Sequence, residues 1–257
     1  MKRHLLFFAI TFIGLTFNSC VIHIDGETMK GDGNVVAREY AIDHFDLLVC
    51  ALPATVNYSV ADQSTCTVRV DENLFEYIDI KEKDGELVLR QAKPKGGKYI
   101  NYDATEFVID ITAPSVDEIM IAGSGDLNIL SPIHEQSLEV NIAGSGNVVF
   151  KEEVDINHLE LSVAGSGDIR VDKGTIRELE ADIAGSGDIV SHAETQKAEA
   201  TVMGSGDITV NVTGRLEYRI VGSGDIYYYG GPEVSGKIAG SGSIESIEKP
   251  SQQSNDE

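Results

Sequence analysis

Tryptophan is absent from this chain of 257 residues, which contains only three cysteines and six prolines. The spacings Cys-x-x-Cys and His-Glu-x-x-His, which are typical of zinc sites, do not occur. Basic residues are also scarce, with 20 Lys and Arg against 42 Asp and Glu and a formal net charge of −22. Because nucleic acids and anionic lipid surfaces require basic patches, this charge argues against both as partners.

A long apolar run occurs at the amino terminus, where Leu5 to Phe17 follow Lys2 and Arg3. The run is shorter than the ~20 residues of a membrane helix, and its flanks predict a signal peptide over residues 1–19. Leu15-Thr16-Phe17-Asn18-Ser19-Cys20 resembles a loose lipobox of the Bacteroidetes type, which implies lipidation of Cys20. An ordinary secreted protein, or a buried Cys20, is the alternative.

Cleavage before Cys20 removes two basic residues and changes the net charge from −22 to −24. A lipid on Cys20 would anchor the protein to a membrane without spanning it. Val21, rather than Asp, follows Cys20, and in this the chain resembles lipoproteins that are sent to the outer membrane. The next residues, Ile22-His23-Ile24, lack the acidic run associated with surface export, so periplasm-facing and surface-exposed placements both stay open.

The two remaining cysteines, Cys50 and Cys66, lie in strand-like segments of a chain that is predicted to be exported. An oxidising compartment permits a disulfide between them. Two strand cysteines are at least as often separate buried thiols. The sequence leaves both possibilities open.

A Gly-Ser-Gly turn recurs seven times along the carboxy-terminal half, with spacings of 21, 21, 20, 19, 18 and 18 residues. The segments before the turns alternate apolar and polar residues, as in Leu138–Ile142 and Leu159–Val163, and an apolar residue also follows each turn. Alternation with a period of two predicts strands that bury one face. Because one repeat cannot bury that face alone, the pattern predicts a right-handed parallel β-helix, or solenoid, with rungs of about 18–21 residues.

The glycines of these turns are predicted to be structural, because glycine permits positive φ and lets stacked corners approach closely. No helix follows the turns, so a phosphate-binding role is disfavoured. The turn glycines are Gly123, Gly125, Gly144, Gly146, Gly165, Gly167, Gly185, Gly187, Gly204, Gly206, Gly222, Gly224, Gly240 and Gly242.

The rest of the chain divides around these repeats. Residues 20–32 are predicted to be a linker, and residues 33–115 a less regular β part that continues and caps the stack. The regular solenoid is predicted over residues 116–247. The polar residues 248–257 are predicted to be a disordered tail.

The pattern resembles the family called the putative auto-transporter adhesin head GIN domain, over about residues 33–243. The early part of the resemblance rests on Gly31–Arg38, Phe45–Leu48 and Val70–Ile78, and the later part on the Gly-Ser-Gly-Asp series. The resemblance implies a β-helical fold at the cell envelope, but it supplies no established activity or functional residues.

Aligned rungs place acidic residues in two columns, five residues before the first turn glycine and just after the turn. Stacked carboxylates repel each other, so either solvent screening and bonds from Asp to turn amides relieve the repulsion, or Ca²⁺ bridges neighbouring rungs. The Glu column is Glu118, Glu139, Glu160, Glu180, Glu199 and Glu217. The Asp column is Asp126, Asn147, Asp168, Asp188, Asp207 and Asp225, whose aspartates are the candidate calcium ligands.

Other chemistry is weakly represented. His134, His158 and His192 do not share one column, which disfavours a transition-metal site. The arginines that a polysaccharide-cleaving β-helix enzyme would need are scattered, so no enzyme is predicted; these candidates are Arg170, Arg177, Arg215 and Arg219.

Aromatic side chains offer a binding surface instead. In Tyr227-Tyr228-Tyr229, alternation predicts that Tyr228 is buried and that Tyr227 and Tyr229 are exposed to a glycan or protein partner. Tyr99 and Tyr102 are further candidates for such a contact. The sequence therefore predicts a non-enzymatic adhesin-like or ligand-binding envelope lipoprotein of open oligomeric state. A structural envelope protein or assembly subunit is the alternative, and a polysaccharide-active enzyme a minor one.

Overall fold

The computed structural model describes residues 27–92 and 99–249. The predicted signal peptide, Cys20 and residues 250–257 of the predicted tail lie outside the described residues. Within the described part, no helix has the length and apolar character needed to cross a membrane.

The described residues form strands and one short 3-10 helix, Glu72–Tyr77. The strands are β1 Thr28–Lys30, β2 Val35–Tyr40, β3 Leu47–Ala51, β4 Thr55–Val60, β5 Thr65–Asp71, β6 Ile78–Lys83, β7 Glu86–Gln91, β8 Asn101–Asp103, β9 Phe107–Ala113, β10 Glu118–Gly123, β11 Asp126–Ile129, β12 Ile133–Gly144, β13 Val148–Phe150, β14 Val154–Gly165, β15 Ile169–Val171, β16 Gly174–Gly185, β17 Ile189–Gly204, β18 Ile208–Gly222, β19 Ile226–Tyr229, β20 Glu233–Gly240 and β21 Ile244–Ser246.

The regular half is a β-solenoid of parallel stacked strands, which confirms the predicted fold class. The strands before the turns stack in the order β10, β12, β14, β16, β17, β18, β20. In this register every first turn glycine pairs with its counterpart in the next rung, from Gly123 with Gly144 to Gly222 with Gly240. The repeat of the sequence is therefore the repeat of the structure.

The core is built from columns of inward apolar side chains. One column runs through Ile121, Ile142, Val163, Ile183 and Val202, all of them buried. Burial of one such side chain contributes roughly 1.5–3 kcal/mol, so each added rung stabilises its neighbours.

In the rungs that end at Gly204 and Gly222, the spacing between turns is 19 and 18 residues, and no interruption separates the strands. Residues 151–153 separate β13 from β14, and residues 172–173 separate β15 from β16, whereas β17 and β18 run without a break. Register shifts between Ser191 and Glu194 absorb the difference. The alternation of buried and exposed side chains is disturbed beside these register shifts, where Val210, Asn211 and Val212 are all buried.

The amino-terminal half extends the stack in an order that differs from the order of the chain. Strand β3 pairs in parallel with both β7 and β10, and β4 pairs in parallel with both β9 and β11. The earliest rung therefore lies between two rungs that come later in the chain. Antiparallel strands β2, β5 and β6 border this end of the stack.

The predicted linker over residues 20–32 is wrong for residues 28–30. These residues form β1, which pairs in parallel with β8 through Met29 and Tyr102. Tyr102 is partly buried against the core, and its hydroxyl donates a hydrogen bond to the Tyr77 carbonyl at 2.6 Å. Residues 28–30 thus form a strand by pairing with β8, which composition alone does not reveal.

The two ends of the stack differ. At the carboxy-terminal end, β20 pairs only with β18, and β21 pairs only with β19. All eight residues of β20 are exposed, including Val234 and Ile238. Among the described residues no strand covers this last rung.

Cys50 and Cys66 are separate free thiols, and both are buried. Cys50 pairs with Ile121 across β3 and β10, whereas Cys66 lies on β5 opposite Tyr40. Burial raises the pKa of Cys50 to about 11 and that of Cys66 to about 12. Both cysteines therefore belong to the packing of the core.

Candidate functional site

The Gly-Ser-Gly turns form one column of corners, and every turn glycine except Gly123 lacks room for a Cβ. Gly165 has φ +143°, and a Cβ there would lie 2.1 Å from the carbonyl oxygen of Gly144 in the rung below. The third glycine is equally crowded, since a Cβ on Gly167 would lie 2.0 Å from the Gly146 oxygen. The Ser166 N–H donates to the Gly144 carbonyl at 2.9 Å. The turns therefore hold neighbouring rungs together through backbone groups.

The Asp column is a ladder of hydrogen bonds along the solenoid. Oδ1 of Asp168 accepts the Asp188 amide at 2.8 Å, and Oδ1 of Asp188 accepts the Asp207 amide at 2.8 Å. At the end of the column, Asp225 accepts both the amide and the hydroxyl of Ser243. The carboxylates thus bind turn amides of the next rung, and calcium binding by Asp126, Asp168, Asp188, Asp207 and Asp225 stays a prediction.

The Glu column has the predicted register, from Glu118 beside Glu139 to Glu199 beside Glu217. Most of its members are half-buried. Burial, together with the charges of Glu139 and Glu180, raises the pKa of Glu160 to about 7. Burial and nearby carboxylates also raise the pKa of Glu180.

The predicted exposure of Tyr229 is wrong. Only 4% of Tyr229 is exposed, and its hydroxyl lies 2.9 Å from Nδ1 of His192. Tyr229 is the register partner of buried Asn211, at the point of β18 where the alternation breaks down, so both side chains lie inward. Tyr228, predicted to be buried, is partly buried and packs against the core, and Tyr227 is partly exposed. The proposed pair of aromatic contacts is therefore reduced to Tyr227 at this end.

A cavity of about 480 Å³ lies where the column of Gly-Ser-Gly corners meets the amino-terminal half. One wall is the corner Ala51-Leu52-Pro53 together with the first turn, Ala122-Gly123-Ser124. The opposite wall is Arg90 and Gln91 at the end of β7, together with residues 99–102. Its volume lies within the range of about 300–1,000 Å³ that is usual for small-molecule sites.

The cavity exists because the corner pattern changes at this rung. Below the first Gly-Ser-Gly turn lies Ala51-Leu52-Pro53-Ala54 instead of another such turn. A Cβ on Gly123 would have no atom within 4 Å, in contrast to the crowded glycines of the later turns. The corner column therefore opens here into a concave surface.

The aromatic wall of the cavity is held in place by hydrogen bonds. The side chain of Gln91 donates to the Ile100 carbonyl and accepts its amide, both at 2.9 Å. Arg90 is engaged by Asp79 at 3.0 Å. Tyr99 remains 52% exposed, so its ring is available at the rim of the cavity. Sequence reasoning named Tyr99 and Tyr102 but could not place them beside the first turn.

A buried carboxylate that sequence reasoning missed joins the motifs of the amino-terminal half. Asp71 is fully buried, and its carboxylate accepts the amides of Gly33 at 2.8 Å and Thr105 at 2.7 Å. Nearby, Asn73 accepts the Asp32 amide and donates to the Lys30 carbonyl. The segments Gly31–Arg38 and Val70–Ile78 are therefore structural partners. Their long separation in the chain hid this link.

Comparisons with known proteins agree with this architecture. A family model described as putative auto-transporter adhesin, head GIN domain, matches residues 44–232. A solved structure of a putative lipid binding protein from Parabacteroides distasonis is 31% identical, covers 86% of this chain and 100% of its own, and has a TM-score of 0.75. No match was found among the curated proteins.

Two further solved structures share the fold at lower identity. A putative adhesin from Bacteroides fragilis is 23% identical with a TM-score of 0.76, and the match covers 85% of this chain and 100% of that one. A putative adhesin from Parabacteroides merdae is 24% identical with a TM-score of 0.72, covering 87% and 100%. Because the family model spans most of the solenoid and its amino-terminal rungs, this chain belongs to the putative auto-transporter adhesin, head GIN domain family.

Proposed function

We propose that this protein is a non-enzymatic binding module of the bacterial envelope, anchored by a lipid on Cys20, that holds a glycan in the cavity beside Tyr99. The cavity and the exposed Tyr99 ring carry the proposal. An aromatic face at the rim can stack on a sugar ring, while carbonyl and amide groups of the surrounding corners offer polar contacts.

The family supports the adhesive part of this proposal, since its description names an adhesin. The lipid-binding description belongs to the 31% identical relative and suggests a second amphipathic ligand class for the same cavity. The net charge of −22 disfavours anionic headgroups. A neutral glycan therefore fits the surface better.

Glycan-array binding of the purified protein tests the cavity. We expect binding by the unchanged protein, loss of that binding in Tyr99→Ala, and retention in Tyr227→Ala, which removes a partly exposed tyrosine at the far end of the solenoid. Equal binding by the Tyr99→Ala variant would contradict the cavity as the site. Absence of glycan binding combined with saturable binding of neutral lipid would replace the glycan with a lipid.

The anchor is tested separately in cells. Cys20→Ser is expected to shift the protein from the membrane fraction to the soluble fraction, because no acyl chain remains to hold it. External protease should degrade the unchanged protein on intact cells if the module is adhesive. Complete protection would contradict an adhesive role while leaving glycan binding itself open to the array measurement.

A second candidate, an assembly subunit, is favoured by the last rung. The exposed β20 presents unpaired backbone groups along a whole strand, and such edges pair readily with further strands. Sedimentation of the purified protein distinguishes the candidates. Concentration-dependent assembly that is abolished by Ile238→Lys would support this alternative.

A further inference from the structure

The middle of the Glu column brings together three side chains from two neighbouring strands. His158 and Glu160 lie two residues apart on β14, and so they project from the same outer face. Glu180 on β16 is the register partner of Glu160. One ligand atom from each of the three lies within 4.8 Å of the other two. Within the described residues, this is the one cluster of three or more such side chains.

The residues that precede the column explain why the cluster occurs at this rung. The residues two positions before these glutamates form a second column, in which each residue pairs with its counterpart in the next rung. Toward the carboxy terminus that column becomes basic, and Arg215 forms an ion pair with Glu217 at 2.8 Å. The column reads Ser137, His158, Glu178, Lys197 and Arg215.

On the other side, Glu139 accepts a hydrogen bond from Nδ2 of Asn141 at 2.6 Å. Glu160 and Glu180 lie between these two arrangements and form no ion pair with Lys or Arg in the described part of the chain. The imidazole of His158, whose ring nitrogen can offer a lone pair to a metal ion, lies beside these two carboxylates. The column thus places two carboxylates and one imidazole together where no side-chain cation reaches them.

We infer that His158, Glu160 and Glu180 bind a divalent transition-metal ion of the zinc type. Imidazole nitrogen and carboxylate oxygen are both zinc ligands, with bonds of about 2.0–2.2 Å. Tetrahedral coordination at these bond lengths places ligand atoms roughly 3.4 Å apart. Side-chain rotations that move the ligand atoms by about 1 Å would bring the three groups to this spacing. Three protein ligands leave a coordination position for water or an external group.

Calcium fits this cluster less well than zinc does. Ca²⁺ takes six to eight oxygen ligands, and the cluster supplies one nitrogen and two carboxylates. The histidine therefore selects the softer ion. His158 shares no column with another histidine; it lies diagonally from Glu180 of the next rung, a relation that the spacing of histidines does not reveal.

Isothermal titration of the purified protein, without a polyhistidine tag, with ZnCl₂ and separately with CaCl₂ tests the inference. We expect about one equivalent of Zn²⁺ to bind and to raise the melting temperature, since a ligand of the folded state stabilises it. His158→Ala, Glu160→Gln and Glu180→Gln should each weaken Zn²⁺ binding by at least about tenfold, because loss of even an outer partner of a metal ligand costs 10–100-fold.

His134→Ala is the matched control, because His134 is an exposed histidine one strand away that faces a single carboxylate, Asp155 at 4.0 Å. The Zn²⁺ affinity of the His134→Ala variant should equal that of the unchanged protein. The two glutamine variants preserve side-chain shape, so they report on the site even if His158→Ala impairs folding. Zn²⁺ affinity that is equal in Glu160→Gln and the unchanged protein, or preference for Ca²⁺ over Zn²⁺, would overturn the inference.

Discussion

The carboxylate of Asp71 accepts the backbone amide of Gly33 at 2.8 Å, and through this bond a buried charge at the end of β5 holds the segment that precedes β2. Gly31 lies so close that a Cβ there would meet the Asp71 carboxylate at 2.3 Å. Burial by itself would raise the pKa of Asp71, but hydrogen bonds from Thr105 and Gly33 outweigh it and lower the pKa. The amino-terminal cap is therefore held by a charged group inside the protein.

Asp71→Ala should destabilise the protein by about 3 kcal/mol, because it removes the charged acceptor of the hydrogen bonds from the amides of Gly33 and Thr105. The stabilisation by Asp71 should be present above the ordinary pKa of an aspartate and be lost as the pH falls through the lower folded-state pKa. Urea unfolding at several pH values measures both effects. Asp62→Ala, in the exposed turn after β4, is the control and should leave stability within about 0.5 kcal/mol.

Gly165→Ala should destabilise the solenoid much more than Gly123→Ala. Both positions have positive φ, +143° and +129°, so both alanines are strained. Only the first also places a Cβ 2.1 Å from a backbone oxygen, whereas nothing lies within 4 Å of the second. Thermal unfolding of the two variants separates backbone strain from crowding between rungs. Equal losses would show that stacking of the corners contributes nothing to the requirement for glycine.

Glu160→Gln should flatten the pH dependence of stability between about 4.5 and 7. The folded-state pKa of Glu160 is raised from 4.5 to about 7, so the folded protein holds this proton more tightly than the unfolded chain. Stability therefore falls as the pH rises through this window and is level above it. Melting temperatures recorded with a metal chelator check the effect. Glu217→Gln, whose glutamate has Arg215 as a partner, should keep the slope.

Tyr229→Ala should cost about 3–5 kcal/mol, as expected for removing a buried aromatic side chain. Tyr229→Phe should cost about 1 kcal/mol, because it loses only the hydrogen bond to His192. Tyr227→Ala should change stability little, since that ring is partly exposed. Denaturant unfolding of the three variants compares them. A large loss in Tyr227→Ala with none in Tyr229→Ala would restore the exposure predicted by alternation.

The folded protein should have the same melting temperature with and without a reducing agent, because Cys50 and Cys66 are separate thiols. Their buried positions and raised pKa values should also make alkylation by iodoacetamide slow until the protein unfolds. Mass spectrometry after labelling counts the modified thiols. A loss of two mass units that reduction reverses would instead indicate a disulfide.

The solenoid and its columns were predictable because their causes are local. A glycine that needs positive φ and an apolar residue at every second position leave their marks within a few neighbouring residues, so the spacing of the turns predicts the register of Glu139 beside Glu160. The burial of Tyr229 was not predictable in this way. Tyr229 pairs with buried Asn211, where the alternation of β18 is broken next to the register shifts between β17 and β18.

The candidate sites depend on contacts between distant segments, which one sequence does not reveal. Asp71 meets Gly33 and Thr105 only after β2 and β5 have paired. Tyr99 faces the first Gly-Ser-Gly turn because β7 stacks beside β3, and β3 beside β10. Both arrangements depend on pairings between segments that are distant in the chain, which composition does not specify.

The exchanged order of the amino-terminal rungs also determines when each part can fold. The rung formed by β3 and β4 has both of its stacking neighbours later in the chain, so it cannot be completed until β7, β9, β10 and β11 have been synthesised. Closure of this end is therefore slow, since it requires contacts between distant segments. Every rung after β11 needs only the one before it. Once the first three rungs have assembled, the remainder can grow in the order in which the chain emerges.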